Sequence, residues 1–190
     1  MDPVTYEVVK HRLWQINDEQ GATIRTISTS PIVVEGNDFN VGLFAPDGDI
    51  AVTGPYVLTH VTTMDTVIKT IIASVDDVAD GDVFMVNDPY AGALHQNDLV
   101  LAAPVFTDGH LLMWIGNVLH HADLAGIDEG SFCINARNVF QEAPRYFLRL
   151  VERGAMRRDV ERTFTMNSRL PDMVALDLRA QLGALNVARR

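Results

Sequence analysis

The chain has 190 residues, 47% hydrophobic and 21% charged, which is the composition of a folded protein with a real apolar core and excludes intrinsic disorder. Its 25 acidic and 15 basic residues leave a net charge of -10, which repels phosphate backbones and anionic lipid, so neither nucleic acid nor a membrane surface is an expected partner. The single cysteine, Cys133, can form neither an internal disulfide nor a thiolate cage. Any metal must therefore be held by nitrogen and oxygen. With no signal-peptide pattern at the N-terminus and no apolar run of membrane-spanning length, a cytoplasmic setting is expected.

Asp2-Pro3 is a helix start, with aspartate as cap and proline at the first helical position, where its missing N–H costs nothing. Val4, Val8, Leu13, Ile16 and Ile24 recur at helical spacing, so a helix over residues 3–27 is expected to lay one apolar stripe on the rest of the domain, with Gly21 weakening it near its end. Past Ser30-Pro31 the pattern changes. The runs 39–44 and 50–53 flank Pro46-Asp47-Gly48-Asp49 and predict a β-hairpin. Thr62 or Thr63 is the expected cap of a second helix to about Val75, with Met64, Val67, Ile68, Ile71 and Ile72 on its buried side. A strand over 83–86 follows, then two strands over 99–106 and 111–120 around Thr107-Asp108-Gly109-His110. Their apolar residues do not alternate cleanly, as expected of strands covered on both faces. Residues 123–144 read as loop, and two helices, about 158–167 and after Pro171, close the chain.

The chemistry concentrates in the loop Asn87-Asp88-Pro89-Tyr90-Ala91-Gly92-Ala93-Leu94-His95-Gln96-Asn97-Asp98. His95 and Asp98 are three apart, so one tight turn puts an imidazole and a carboxylate on the same side. His120 lies 25 residues beyond His95, at the end of the strand returning from the second hairpin, and a hairpin brings the ends of its strands together. Two histidines and a carboxylate suit zinc first, and also iron(II) or manganese, and leave positions open for water or substrate. Because side chains on a strand alternate, His120 and His121 cannot both face one ion, and His120 is the preferred ligand, with His121 and Asp123 behind it as groups that orient ligand or substrate. The plainer reading makes His95 a loop residue and His120 a core histidine. Asp88 is either a base beside the loop or a turn former before proline. Glu142 is either a loop acid/base or a solvated carboxylate, Tyr90 and Gln96 either reach substrate or anchor the loop, and Cys133 reads as a packing residue.

Asp2-Pro3-Val4-Thr5, Asp38-Phe39, Pro46-Asp47-Gly48, Gly81-Asp82-Val83, the loop from Asn87 to Asp98, His120-His121-Ala122-Asp123, Gln141-Glu142 and Asn167-Ser168-Arg169-Leu170-Pro171 occur in an order that resembles the hydantoinase B/oxoprolinase family. The likeness includes acetone and acetophenone carboxylase subunits. It implies a metal held at His95, Asp98 and His120, and it adds Asp38 as a further carboxylate ligand that local spacing does not reveal. It also implies a partner, a hydantoinase A-like subunit that binds ATP and activates the substrate, and hence a hetero-oligomer. Ala93 and Leu94 depart from the glycine and threonine usual in that family, and family subunits are longer than this chain. The sequence thus predicts an α+β unit over 1–190, antiparallel hairpins packed against helices, as a metal-binding N-terminal part of a longer subunit. The expected activity is metal-assisted, ATP-coupled hydrolysis of a hydantoin, 5-oxoproline or lactam, with Asp88, His121 and Glu142 as catalytic candidates. The alternatives are ATP-dependent carboxylation of a ketone and a catalytically silent assembly module.

Overall fold

In the computed structural model, which describes residues 2–190, a seven-stranded antiparallel sheet carries helices on both faces, the mixed class expected from the sequence. Met1, the first residue of the expected 1–190 unit, lies outside the described residues. Helix α1 spans Pro3–Ile27 and starts where the Asp2 carboxylate accepts the Thr5 N–H. Its apolar stripe, however, is only half used. Val4 and Val8 are 73% and 63% exposed, and the side chains it buries are Asn17, Gln20 and Ile24 from its second half. The first turns are left exposed, which spacing alone could not show. Gly21 is there for closeness, since a Cβ would collide with the Tyr56 ring.

A short helix α2, Pro31–Val34, leads into the strands β1 (Phe39–Phe44) and β2 (Ile50–Thr53), the expected first hairpin. Helix α3 spans Val61–Ser74 and is entered through a tight turn at Leu58–His60. Neither threonine caps it, contrary to expectation: the Thr62 and Thr63 hydroxyls donate back to the Thr59 and His60 carbonyls, inside a helix that has already begun. Ile72 also turns outward, at 38% exposure.

Strands β3 (Val83–Val86), β4 (Asp98–Thr107) and β5 (His110–His120) form the centre, and β6 (Phe147–Glu152) and β7 (Ala155–Met156) extend it, giving the order β2-β1-β5-β4-β3-β6-β7. The β4–β5 turn, Asp108-Gly109, has φ of 49° and 77°, the two left-handed positions that fit a two-residue loop to twisted strands. Helices α4 (Arg158–Met166) and α5 (Pro171–Arg189) complete the chain.

Alternation along the central strands divides the core. Leu99, Leu101 and Ile115 pack with Phe164, Val174 and Leu178 from α4 and α5, whereas Val100, Ala102, Trp114 and Val118 pack with Met64, Val67, Ile68 and Ile71 of α3. Both faces of β4 and β5 are therefore covered away from their turn end, which is why their apolar residues do not alternate with polar ones. Among the described residues no helix is long and apolar enough to cross a membrane.

Candidate metal centre

The register of the β4–β5 hairpin builds the site. Asp98 and His120 are direct cross-strand partners, so their side chains leave the sheet on one face, the one covered by α3. The Asp98 N–H donates to the His95 carbonyl at 3.0 Å, closing the tight turn that brings His95 over the same spot. The His120 N–H donates to the Asp38 carbonyl at 3.1 Å, which fixes the entry to β1 beside them. His60, at the start of α3, supplies the fourth wall.

Distances are short throughout. His120 Nδ1 lies 2.8 Å from Asp98 Oδ1, His95 Nδ1 lies 3.2 Å from Asp98 Oδ2, and the two imidazole rings meet edge-on at 4.9 Å. His60 Nε2 is 2.9 Å from Asp38 Oδ1 and 4.0 Å from Asp98 Oδ1. His95, Asp98 and His120 each offer a ligand atom within 4.8 Å of the other two. Asp98 is fully buried, and its Oδ2, which His95 Nδ1 approaches at 3.2 Å without hydrogen-bond geometry, lacks a hydrogen-bond partner, as do His120 Nε2 and His60 Nδ1. Buried polar atoms are almost always paired, because leaving one unpaired costs about 1–3 kcal/mol. A carboxylate and imidazoles with unpartnered atoms in one buried cluster are the donor set a divalent cation takes, so the residues present fit a metal.

Electrostatics agree with that fit. Burial pushes the His95 imidazole below its ordinary value, assisted by His120 and His60 and opposed by Asp98 and Asp38, so at neutral pH the ring is a lone-pair donor. The hydrogen bond from His60 holds the Asp38 carboxyl below its usual range against the opposing effect of burial, with His120 and His95 adding to the lowering. Asp38 thus stands at the site as an anion, reached through His60. Sequence reasoning missed His60, which sits 22 residues from Asp38 and whose position depends on how α3 packs on the sheet.

Backbone clamps hold the loop before Asp98. The Asn87 amide donates to the carbonyls of Gln96 and Pro144, at 2.6 and 3.0 Å, and Asn87 Oδ1 accepts from the Tyr146 N–H. Gln96 Nε2 donates to the Val139 and Ala143 carbonyls and so anchors the loop, and the residue also lines the cleft beside His95. Gly92, at φ 110°, lies against Thr66, where a Cβ could not fit. Phe132 arches over the rings of His95 and His120, at centroid distances of 5.1 and 5.0 Å. Its loop is pinned by Asp123, whose carboxylate accepts from the N–H groups of Ala125, Gly130 and Arg169 and from the Arg169 guanidinium. Burial pushes the Asp123 carboxyl up, but these bonds together outweigh it and leave it below its ordinary value.

The three residues expected to be catalytic lie in different places. His121 is turned to the opposite face of the sheet, where Nε2 donates to Gln181 Oε1 of α5 at 3.2 Å and the ring packs edge-on against Phe164. Strand alternation carries it away from His120, and burial holds it down to about 4, so it is a neutral group in the core under α5. Asp88 accepts the Tyr90 N–H and pairs with Arg145 at 3.4 Å, which is the turn-forming role. Tyr90 is exposed beneath that arginine. Glu142 does come near: it lines a cleft of about 170 Å³ with His95. Asp123 orients the loop that carries Phe132, not a ligand.

The fold and this constellation define a class, helices over an antiparallel sheet with a buried His/Asp cluster at the mouth of its central hairpin. A sequence model of the hydantoinase B/oxoprolinase family matches residues 2–190, and the chain belongs to that family. It is 30% identical to a 5-oxoprolinase of Dictyostelium discoideum over 97% of its own length, which is 15% of that protein. Its fold is similar to a nucleotide-free structure of acetone carboxylase, at TM-score 0.92 and 25% identity, over 99% of this chain and 25% of the other. It is equally similar to the ATP-dependent caprolactamase of Pseudomonas jessenii, at TM-score 0.90 and 26% identity, over 100% of this chain and 33% of that one. The chain thus spans no more than a third of the length of these relatives.

Proposed function

We propose that the chain is the metal-holding part of an ATP-coupled enzyme that opens a cyclic amide. The observation that carries this is the pair of unpartnered buried atoms, Asp98 Oδ2 and His120 Nε2, beside His95. His95, Asp98 and His120 would hold a divalent cation, zinc first by donor type, with Asp38 as a further carboxylate and His60 orienting it. Such an ion supplies Lewis acidity, polarising an amide carbonyl or acidifying water at neutral pH. Beside it, Asp98 would offset the cation's charge and the neutral His95 ring would offer its lone pair, while Phe132 covers one side of the cluster. Glu142, the acid nearest the open cleft, is placed to move a proton to or from the substrate nitrogen.

No Walker-type glycine-rich loop occurs in the sequence, so ATP would be handled by a hydantoinase A-like partner in a hetero-oligomer. The ATP-dependent caprolactamase likeness favours amide opening. The acetone carboxylase likeness supports a second reading, in which the same cluster serves ketone carboxylation. Reconstitution with an A-type subunit and ATP separates them: ring opening of a hydantoin or lactam supports the first, and incorporation of labelled bicarbonate into a ketone supports the second. If neither occurs while a metal is bound, a silent assembly module is left.

A further inference from the structure

The segments on either side of the open cleft beside His95 turn large apolar side chains outward. Tyr90 is 78% exposed, Phe132 57%, Ile134 86% and Phe140 84%. Scattered singly, such residues are ordinary surface, but these four are joined. The Arg145 guanidinium lies over the Tyr90 ring at 5.3 Å and the Phe140 ring at 5.7 Å, which ties those two into one group. Glu142 carries the group across to the others. It lines the cleft with Phe132 and Ile134 on one side, and a second hollow of about 410 Å³ with Phe140 and Arg145 on the other.

The backbone under this rim is already fixed. The Phe140 N–H donates to Asn138 Oδ1 at 3.1 Å, the Arg137 N–H to Gln141 Oε1 at 2.6 Å, and the Asn135 N–H to Asp128 Oδ2 at 2.8 Å. A preformed surface loses little entropy on docking, and aromatic rings with arginine are the side chains enriched where proteins bind one another. Position and charge then select the partner. Whatever covers Phe132 and Ile134 also closes the cleft over the His/Asp cluster. The sequence has no glycine-rich phosphate loop, so an ATP-activated species reaches that cleft from outside, and a chain seated on the rim shields it from water on the way. A second copy of this chain would bring the same net charge of -10 and be repelled. We infer, resting on the reading above that a partner handles ATP, that this rim is the docking surface for the ATP-binding A-type subunit, which meets it with a face apolar at its centre and ringed by lysine and arginine.

Calorimetric titration of the full chain into purified A-type subunit gives Kd for the wild type, Phe140→Asp, Tyr90→Ala and, on the exposed start of α1, Val8→Ser. Loss of a central anchor should raise Kd roughly 30-fold in Phe140→Asp and roughly tenfold in Tyr90→Ala, with no change in Val8→Ser. Wild-type association should slow as salt is raised. Thermal unfolding equal to the wild type shows that substitutions at side chains this exposed leave the fold intact. Wild-type affinity in both rim variants, or a loss confined to Val8→Ser, overturns the docking surface and leaves the partner reading standing. Absence of wild-type binding overturns the partner reading itself. A dimer of the chain alone that Phe140→Asp abolishes in light scattering gives the rim to a second copy and overturns the assignment.

Discussion

At the scale of single residues, the site depends on groups whose partners are themselves held. His60 touches Asp38 at 2.9 Å and so fixes a carboxylate it does not resemble in function. Replacing a residue that orients a metal ligand costs 10–100-fold in affinity, so His60→Ala should weaken metal binding by about that factor in a calorimetric titration while the fold persists. An unchanged affinity would remove His60 from the site. Asp123 has a different task, closing the loop that carries Phe132 by accepting three N–H groups. Its folded pKa lies below the unfolded value of about 3.9, so the stability it contributes is complete above that pH and is lost as pH falls through the lower folded value. Thermal unfolding between about pH 5 and 2 should therefore show a steeper acid loss in the wild type than in Asp123→Asn, and parallel curves would contradict this role.

At the scale of elements, the sequence carried the hairpins and most helices because their signals are local. Asp2-Pro3 starts α1, Pro46-Asp47-Gly48-Asp49 turns β1 into β2, and Asp108-Gly109 turns β4 into β5, each within a few residues. The pairing of Asp98 with His120 followed from the same hairpin logic, and Asp38 only from family resemblance. β6 and β7 escape a sequence reading, since β7 has only two residues and β6 is recognisable mainly by its pairing with β3, more than 60 positions away. His60 and the reversed face of His121 were beyond local reading for the same reason: they depend on which helix lands on which face. The stripe on α1 was over-read, and this is testable. Val8→Ser should change stability by less than about 0.5 kcal/mol, whereas Ile24→Ala, fully buried against Phe39 and Val41, should cost about 2–5 kcal/mol in denaturant unfolding. Asn87→Ala should cost about 1–3 kcal/mol by leaving the Gln96 and Pro144 carbonyls and the Tyr146 N–H without partners; a neutral effect would mean that the loop before Asp98 is held otherwise.

At the scale of the whole molecule, the two covered faces of the sheet do different work. The face under α4 and α5 stores His121, Gln181 and Asn117 in a closed network, and the face under α3 opens at its end into the His/Asp cluster and the cleft beside it. A larger concavity, about 710 Å³, lies elsewhere, along the exposed first turns of α1, and contains no such convergence of ligands. A negative net charge and an N/O donor set together favour a cation at the cluster. Metal stoichiometry decides the central claim: the purified chain is dialysed against zinc, washed and analysed for elements, beside Asp98→Ala. The account predicts one tightly held ion per wild-type chain and loss of that ion in the variant; a wild-type chain that retains none, or a variant that retains it in full, would contradict it.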